Sequence, residues 1–243
     1  MMDPTSYPYT TKEQQALKRP YPFVDYGGKE FFSAYKKTRE TAIEELEEQN
    51  LDALETNSSG VEDILELQGR YGDLIDGRLR REIENLSRRT GYKTKNHEFD
   101  PREWYARLQE QEEIDIEDAV YNLHLTLSSN PDALQPGMEY LLRRILKKAE
   151  LRILRKSCDW DFKNTSQEEP SLETYAYLAT TLLLMARKTG DTQALSTALK
   201  LNDFLISQRD QFSTVKESFL TYIALRLELQ EITRLADSKG VEL

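Results

Sequence analysis

Apolar residues recur along most of this chain at intervals of three and four, the spacing that places them on one side of an α-helix. From Lys29 the series Phe31, Tyr35, Thr38, Ala42 and Leu46 forms one stripe, with Glu44, Glu45, Glu47 and Glu48 on the solvated side. Thr56 to Gly60 interrupts it. A second stripe, Val61, Ile64, Leu65, Gln68, Tyr71, Ile75, Leu79, Ile83 and Leu86, keeps phase through Gly69, Gly72 and Gly77. Each interior glycine costs about 1 kcal/mol against alanine, so this helix either kinks near 69–72 or packs closely there. Arg88, Arg89 and Gly91 suit its C-terminus, with positive charge against the helix dipole and a residue free to turn left-handed.

Asp100-Pro101 predicts a further helix start, a side-chain cap followed by proline at the first helical position. Trp104, Tyr105 and Leu108 follow, and then Ile116, Val120, Leu123 and Leu127 form another stripe. After Pro136-Gly137 an amphipathic helix carries Met138, Leu142, Ile145, Leu146, Ala149 and Ile153 on one arc. Between Tyr175 and Ala186 the only polar residues are Thr180 and Thr181, which predicts a helix surrounded by neighbours. Thr189-Gly190-Asp191 reads as a tight joint before Ala194, Leu195, Ala198, Leu201 and Leu205. The last helix, from about Ser213 to Ala236, spaces Val215, Phe219, Tyr222, Leu225, Leu229, Ile232 and Leu235.

No segment alternates convincingly as a strand. The expectation is an all-α fold, a single helical bundle or α/α hairpin array of about seven to eight helices over residues 29–243. Any sub-division would fall in the polar stretches near 91–100 or 158–170. The block Tyr175 to Ile206 resembles the helical hairpins of α/α-toroid carbohydrate enzymes and of helical-repeat scaffolds. That likeness is one of hairpin grammar and carries no catalytic motif.

Residues 1–28 hold four of the eight prolines, interleaved with Tyr7, Tyr9, Tyr21, Phe23 and Tyr26. Proline fixes the backbone and removes donors, so an extended arm is expected, its aromatics lying across its own domain or around a partner. The most apolar stretch of the chain is bounded by Glu173 and Arg187, too short to span a membrane. Met1-Met2-Asp3-Pro4 lacks the pattern of a signal peptide, and the one cysteine, Cys158, cannot form an internal disulfide. The expected location is the reducing cytoplasm.

Charge changes the picture most. Against 33 basic residues stand 43 acidic ones, a net of -10, which argues against a general nucleic-acid or anionic-membrane binder. The basic residues are nevertheless concentrated in one place: Arg143, Arg144, Lys147, Lys148, Arg152 and Arg155 lie mainly on one face of the helix within 138–156. Guanidinium forks match phosphate oxygens, so these cations either hold an anion or pair with the acidic helices before them. Asp73 and Asp76, like Asp115 and Asp118, stand one helical turn apart near Glu62, Asp63 and Glu66. In so acidic a chain that spacing reads first as a solvated face. Two histidines, His97 in a polar loop and His124 beside the Val120 stripe, exclude a multi-histidine metal site. Neither a metal nor a cofactor is expected. The acids beside Cys158, Asp159 and Asp161, raise its pKa and disfavour thiolate chemistry.

Together these features lead to a helical protein–protein interaction or scaffold protein, self-associating, with the arm and the basic helix as contact surfaces. The alternative is an α-helical enzyme or ligand-binding protein that holds a phosphorylated or carbohydrate-like small molecule on the basic helix 143–156. Asp73, Asp76, His97 or Asp100 would then do acid–base work. Whether the chain is an enzyme stays open at this point.

Overall fold

The computed structural model describes residues 29–56, 60–92, 100–109, 116–129 and 171–238. Among the described residues there are eight α-helices, two 3-10 turns and no strand, so the fold is all-α as the spacing predicts. The helices are α1 (Lys29–Thr56), α2 (Val61–Tyr71), α3 (Gly77–Thr90), α4 (Pro101–Gln109), α5 (Ile116–Ser129), α6 (Leu172–Thr189), α7 (Thr192–Ser207) and α8 (Val215–Ser238). The aromatic arm 1–28, the basic helix, His97 and Cys158 lie outside the described residues.

Side-chain caps set most of the helix starts. Ser171 Oγ accepts the Thr174 N–H at 3.2 Å ahead of α6, and Asp191 accepts from Gln193 and Ala194 ahead of α7. Between them Gly190, at φ 71°, ends α6 in the left-handed conformation the Thr-Gly-Asp joint anticipates. Before α8 stands a capping box. Thr214 Oγ1 accepts the Glu217 N–H at 3.2 Å, while the Glu217 carboxylate takes the Thr214 N–H at 3.1 Å.

The second stripe is broken where one long helix was expected. The α-helix stops at Tyr71, Gly72–Leu74 form a 3-10 turn, Ile75 is extended, and Asp76 caps α3. A Cβ built at Gly72 or Gly77 would meet nothing within 4 Å, so these glycines mark a break and not a close packing. The apolar phase survives because Tyr71, Leu74, Ile75, Leu79, Ile83 and Leu86 are all buried. Arginines bond carbonyls of the break: Arg226 Nε donates to Leu74 O at 2.8 Å, and Arg80 donates to Gly72 O, which also accepts the Ile75 N–H. Replacing Asp76 by alanine should cost about 1 kcal/mol of stability, read as a lower denaturant midpoint. An unchanged midpoint would show that the cap contributes nothing.

α6 sits at the centre of the C-terminal packing, with α5, α7 and α8 against it and α8 also against α1. Thr180 and Thr181 are buried in α6 and donate back to Ala176 O and Tyr177 O, one turn earlier. Two stripes differ from expectation. In α1, Thr38 is exposed and Arg39 takes an inward position. In α8, burial covers nearly every position from Glu217 to Leu225, and the carboxylates Glu217, Glu228 and Glu231 are buried with the apolar residues.

Candidate functional site

Glu228 and Glu231 stand at i, i+3 on α8, the separation that puts two side chains on one helix face. Buried charges persist only when paired and hydrogen-bonded. Glu228 satisfies this inside the bundle. It accepts Arg39 Nε at 2.7 Å and further bonds from the Tyr35 hydroxyl and the Asn202 amide, while Arg39 also reaches Asp203 and stacks over the Tyr35 ring at 4.6 Å. Burial pushes the Glu228 carboxyl above its ordinary value, and the Arg39 charge pulls it back. For Arg39 burial works against the charge, but Glu228, Tyr35 and Asp203 outweigh it and hold the guanidinium protonated.

Glu231, one turn further along the same helix, orders two arginines. Arg187 of α6 donates Nε to Glu231 Oε1 at 2.6 Å, and Nη2 to Gln230 Oε1 at 2.9 Å. Arg234 of α8 places Nε at 3.0 Å and Nη2 at 2.8 Å from Glu231 Oε2. The Glu231 side chain is 2 % exposed, whereas those of Arg187 and Arg234 are 45 % and 53 % exposed. One buried carboxylate therefore fixes two guanidiniums whose outer edges face solvent.

Those edges open on a cleft of about 600 Å³ lined by Lys36, Arg187, Arg226, Leu229, Gln230, Thr233, Arg234 and Asp237. Its size lies within the usual range for small-molecule sites, about 300–1,000 Å³. Four cations face one lining carboxylate. Lys36 meets only Glu40 among the described residues, at 4.0 Å, a contact too loose to neutralise it. Arg226 is more committed, through its bond to Leu74 O and its place 5.9 Å from the Tyr222 ring centroid. The arrangement can receive an anion at the Lys36, Arg187 and Arg234 end, with the Thr233 hydroxyl and Gln230 amide as neutral polar neighbours.

No protein-family model matches the chain, and searches of curated proteins and of solved structures find no match either.

Two of the candidates expected from sequence are helix caps. Asp76 accepts the Arg78 N–H at 2.8 Å, and Asp100 accepts the Arg102 N–H at 2.8 Å. Backbone donors, Arg78 first, hold the Asp76 carboxyl below its ordinary value. Asp73 is exposed in the 3-10 turn, so the break removes the shared helix face that its spacing from Asp76 implies. Asp118 accepts the Asn122 amide, and Asp115 lies outside the described residues. Asp63 pairs with Lys216, and Glu66 with Arg70 in a partly buried pair. His97, the arm aromatics Tyr7, Tyr9, Tyr21, Phe23 and Tyr26, and the cations Arg143, Arg144, Lys147, Lys148, Arg152 and Arg155 also fall outside.

His124 is buried more deeply than its stripe position suggests. Its Nε2 lies 3.3 Å from the Tyr71 hydroxyl, and its ring meets the edge of Tyr177 at 4.6 Å between centroids. Burial first, then the charges of Arg70 and Lys216, lower its pKa to about 3. Sequence reasoning missed the cleft because its cations come from three helices spread between positions 36 and 234. The segment 158–243, which supplies most of them, is acidic by count, and no local charge window reveals a cluster assembled by folding.

Proposed function

We propose that this protein is a helical binding protein that receives an anionic partner in the cleft between α1, α6 and α8. The observation that carries this reading is the Arg187–Glu231–Arg234 arrangement, two half-exposed guanidiniums held ready by a buried carboxylate at the mouth of a ligand-sized cleft. Ordering side chains in advance lowers the entropy lost on binding. This relocates the anion-binding reading from the basic helix to a site assembled by folding. The interaction and self-association readings rest on the arm and that basic helix. Among the described residues Tyr92, just past the end of α3, is the one exposed large hydrophobic side chain.

The test is a calorimetric titration of the full chain with pyrophosphate and with citrate, two multivalent anions of different chemistry. Binding of at least one is expected. The Arg187→Ala/Arg234→Ala double variant should weaken it by about tenfold or more, the equivalent of one charge-assisted hydrogen bond or so. Failure of both anions to bind, or equal binding by the double variant, removes the cleft reading.

A further inference from the structure

We infer that the cleft is built for the phosphate group of a phosphorylated small molecule, with Glu231 as the residue that positions its two arginines. This inference rests on the cleft reading above and narrows it. Both Arg187 and Arg234 spend Nε and Nη2 bonds within the fold. Nη1 of each has no hydrogen-bond acceptor among the described residues. Both heads line the same cleft, Arg187 from α6 and Arg234 from α8. Donors converging from two directions, with the Lys36 ammonium and the Thr233 hydroxyl on the same cleft, suit the several oxygens of a tetrahedral phosphate.

The surplus of charge points the same way. Glu231 offsets one of the two arginines, and Asp237 stands opposite the remaining cations at the lining. With Arg226 shared with Glu47 and Asp76, the lining still keeps a positive excess that suits an anion. A phosphate group alone would leave much of the roughly 600 Å³ empty. The remaining space, with the Leu229 side chain on its wall, accommodates the organic part of a phosphate monoester of mononucleotide or sugar-phosphate size.

Four probes separate the outcomes on the full-length chain: a nucleoside monophosphate, a hexose phosphate, sulfate and citrate. At pH 7.5 one or both monoesters should bind more tightly than citrate. Their affinity should fall by about tenfold at pH 5, because the second ionisation of a phosphate ester lies near pH 6. Sulfate is doubly charged at both pH values and reports any change in the protein itself. Arg187→Lys and Arg234→Lys keep the charge and lose the fork, so each should weaken binding of the monoesters. Both side chains are about half exposed, and each lysine keeps a positive charge beside Glu231.

Citrate or sulfate binding as well as the monoesters, with no extra pH dependence for the latter, overturns the phosphate assignment while leaving anion binding in the cleft intact. Lysine variants that bind the monoesters like the parent overturn fork recognition. Absence of binding by every anion sinks both readings together. An oligoribonucleotide that binds with steep salt dependence while the monoesters do not would replace the small molecule by RNA.

Discussion

Arg39→Met should destabilise the protein by about 3–5 kcal/mol, the usual loss when one member of a buried ion pair is removed. The reason is the partner left behind. The Glu228 side chain has no solvent exposure, and Arg39 supplies both its counter-charge and its bond to Oε1. Without Arg39 the carboxylate keeps only the Tyr35 and Asn202 donors and must be held as a charge or protonated inside the bundle. Adding Glu228→Leu to the variant removes the stranded charge, so the double variant should recover part of the loss despite carrying two substitutions. Denaturant unfolding of the parent, both single variants and the double variant gives the coupling energy directly. A loss below about 1 kcal/mol for Arg39→Met, the range of exposed surface pairs, would show that the cluster is not the buried cross-link described. Lys36→Met, one turn away and half in solvent, serves as the contrasting case with little effect.

Acidification should weaken the fold through His124. Its pKa in the folded protein is about 3, against an ordinary value of 6.5, so the unfolded chain takes up a proton in this window and the folded one does not. The stability this contributes is fully present above pH 6.5 and is lost as the pH falls toward 3. The slope for one such proton is about 1.4 kcal/mol per pH unit. Over the two units below pH 6.5 this approaches 3 kcal/mol, a large fraction of the stability of an ordinary domain. Glu228 acts in the opposite sense: its raised pKa makes the folded state take up a proton before the unfolded chain does. Comparing stability against pH for the parent and for His124→Gln cancels that contribution. An identical slope in the variant would assign the acid sensitivity to other groups.

The all-α class, the α6–α7 joint and the buried character of Tyr175 to Ala186 were legible in the sequence because each depends on local rules. Those rules are helical spacing, a glycine with positive φ and an aspartate cap. The break at 72–76 was signalled by its glycines, and a kink near 69–72 was one of two readings, but the buried stripe keeps phase across it and did not decide between them. Arg39, Glu228 and Glu231 were hidden for a different reason. A charged residue on an amphipathic helix is assigned to solvent unless its counter-ion is known, and here the partners come from helices distant in sequence. The cleft follows the same logic, for Lys36, Arg187 and Arg234 acquire a common meaning only after α1, α6 and α8 are packed.

The link between Arg39 and Glu228 spans 189 residues, and that bears on how the protein is made. During synthesis α1 emerges long before α8, carrying a cation whose inward position has no counter-charge yet. The first helix therefore cannot take its final seat on partial chains, and closure of the bundle waits for nearly the last helix to leave the ribosome. Contacts of such long range slow folding and prolong the exposure of unfinished surfaces. Ribosome-bound chains stopped before Glu228 should thus be sensitive to proteases within α1 and become resistant once α8 is complete.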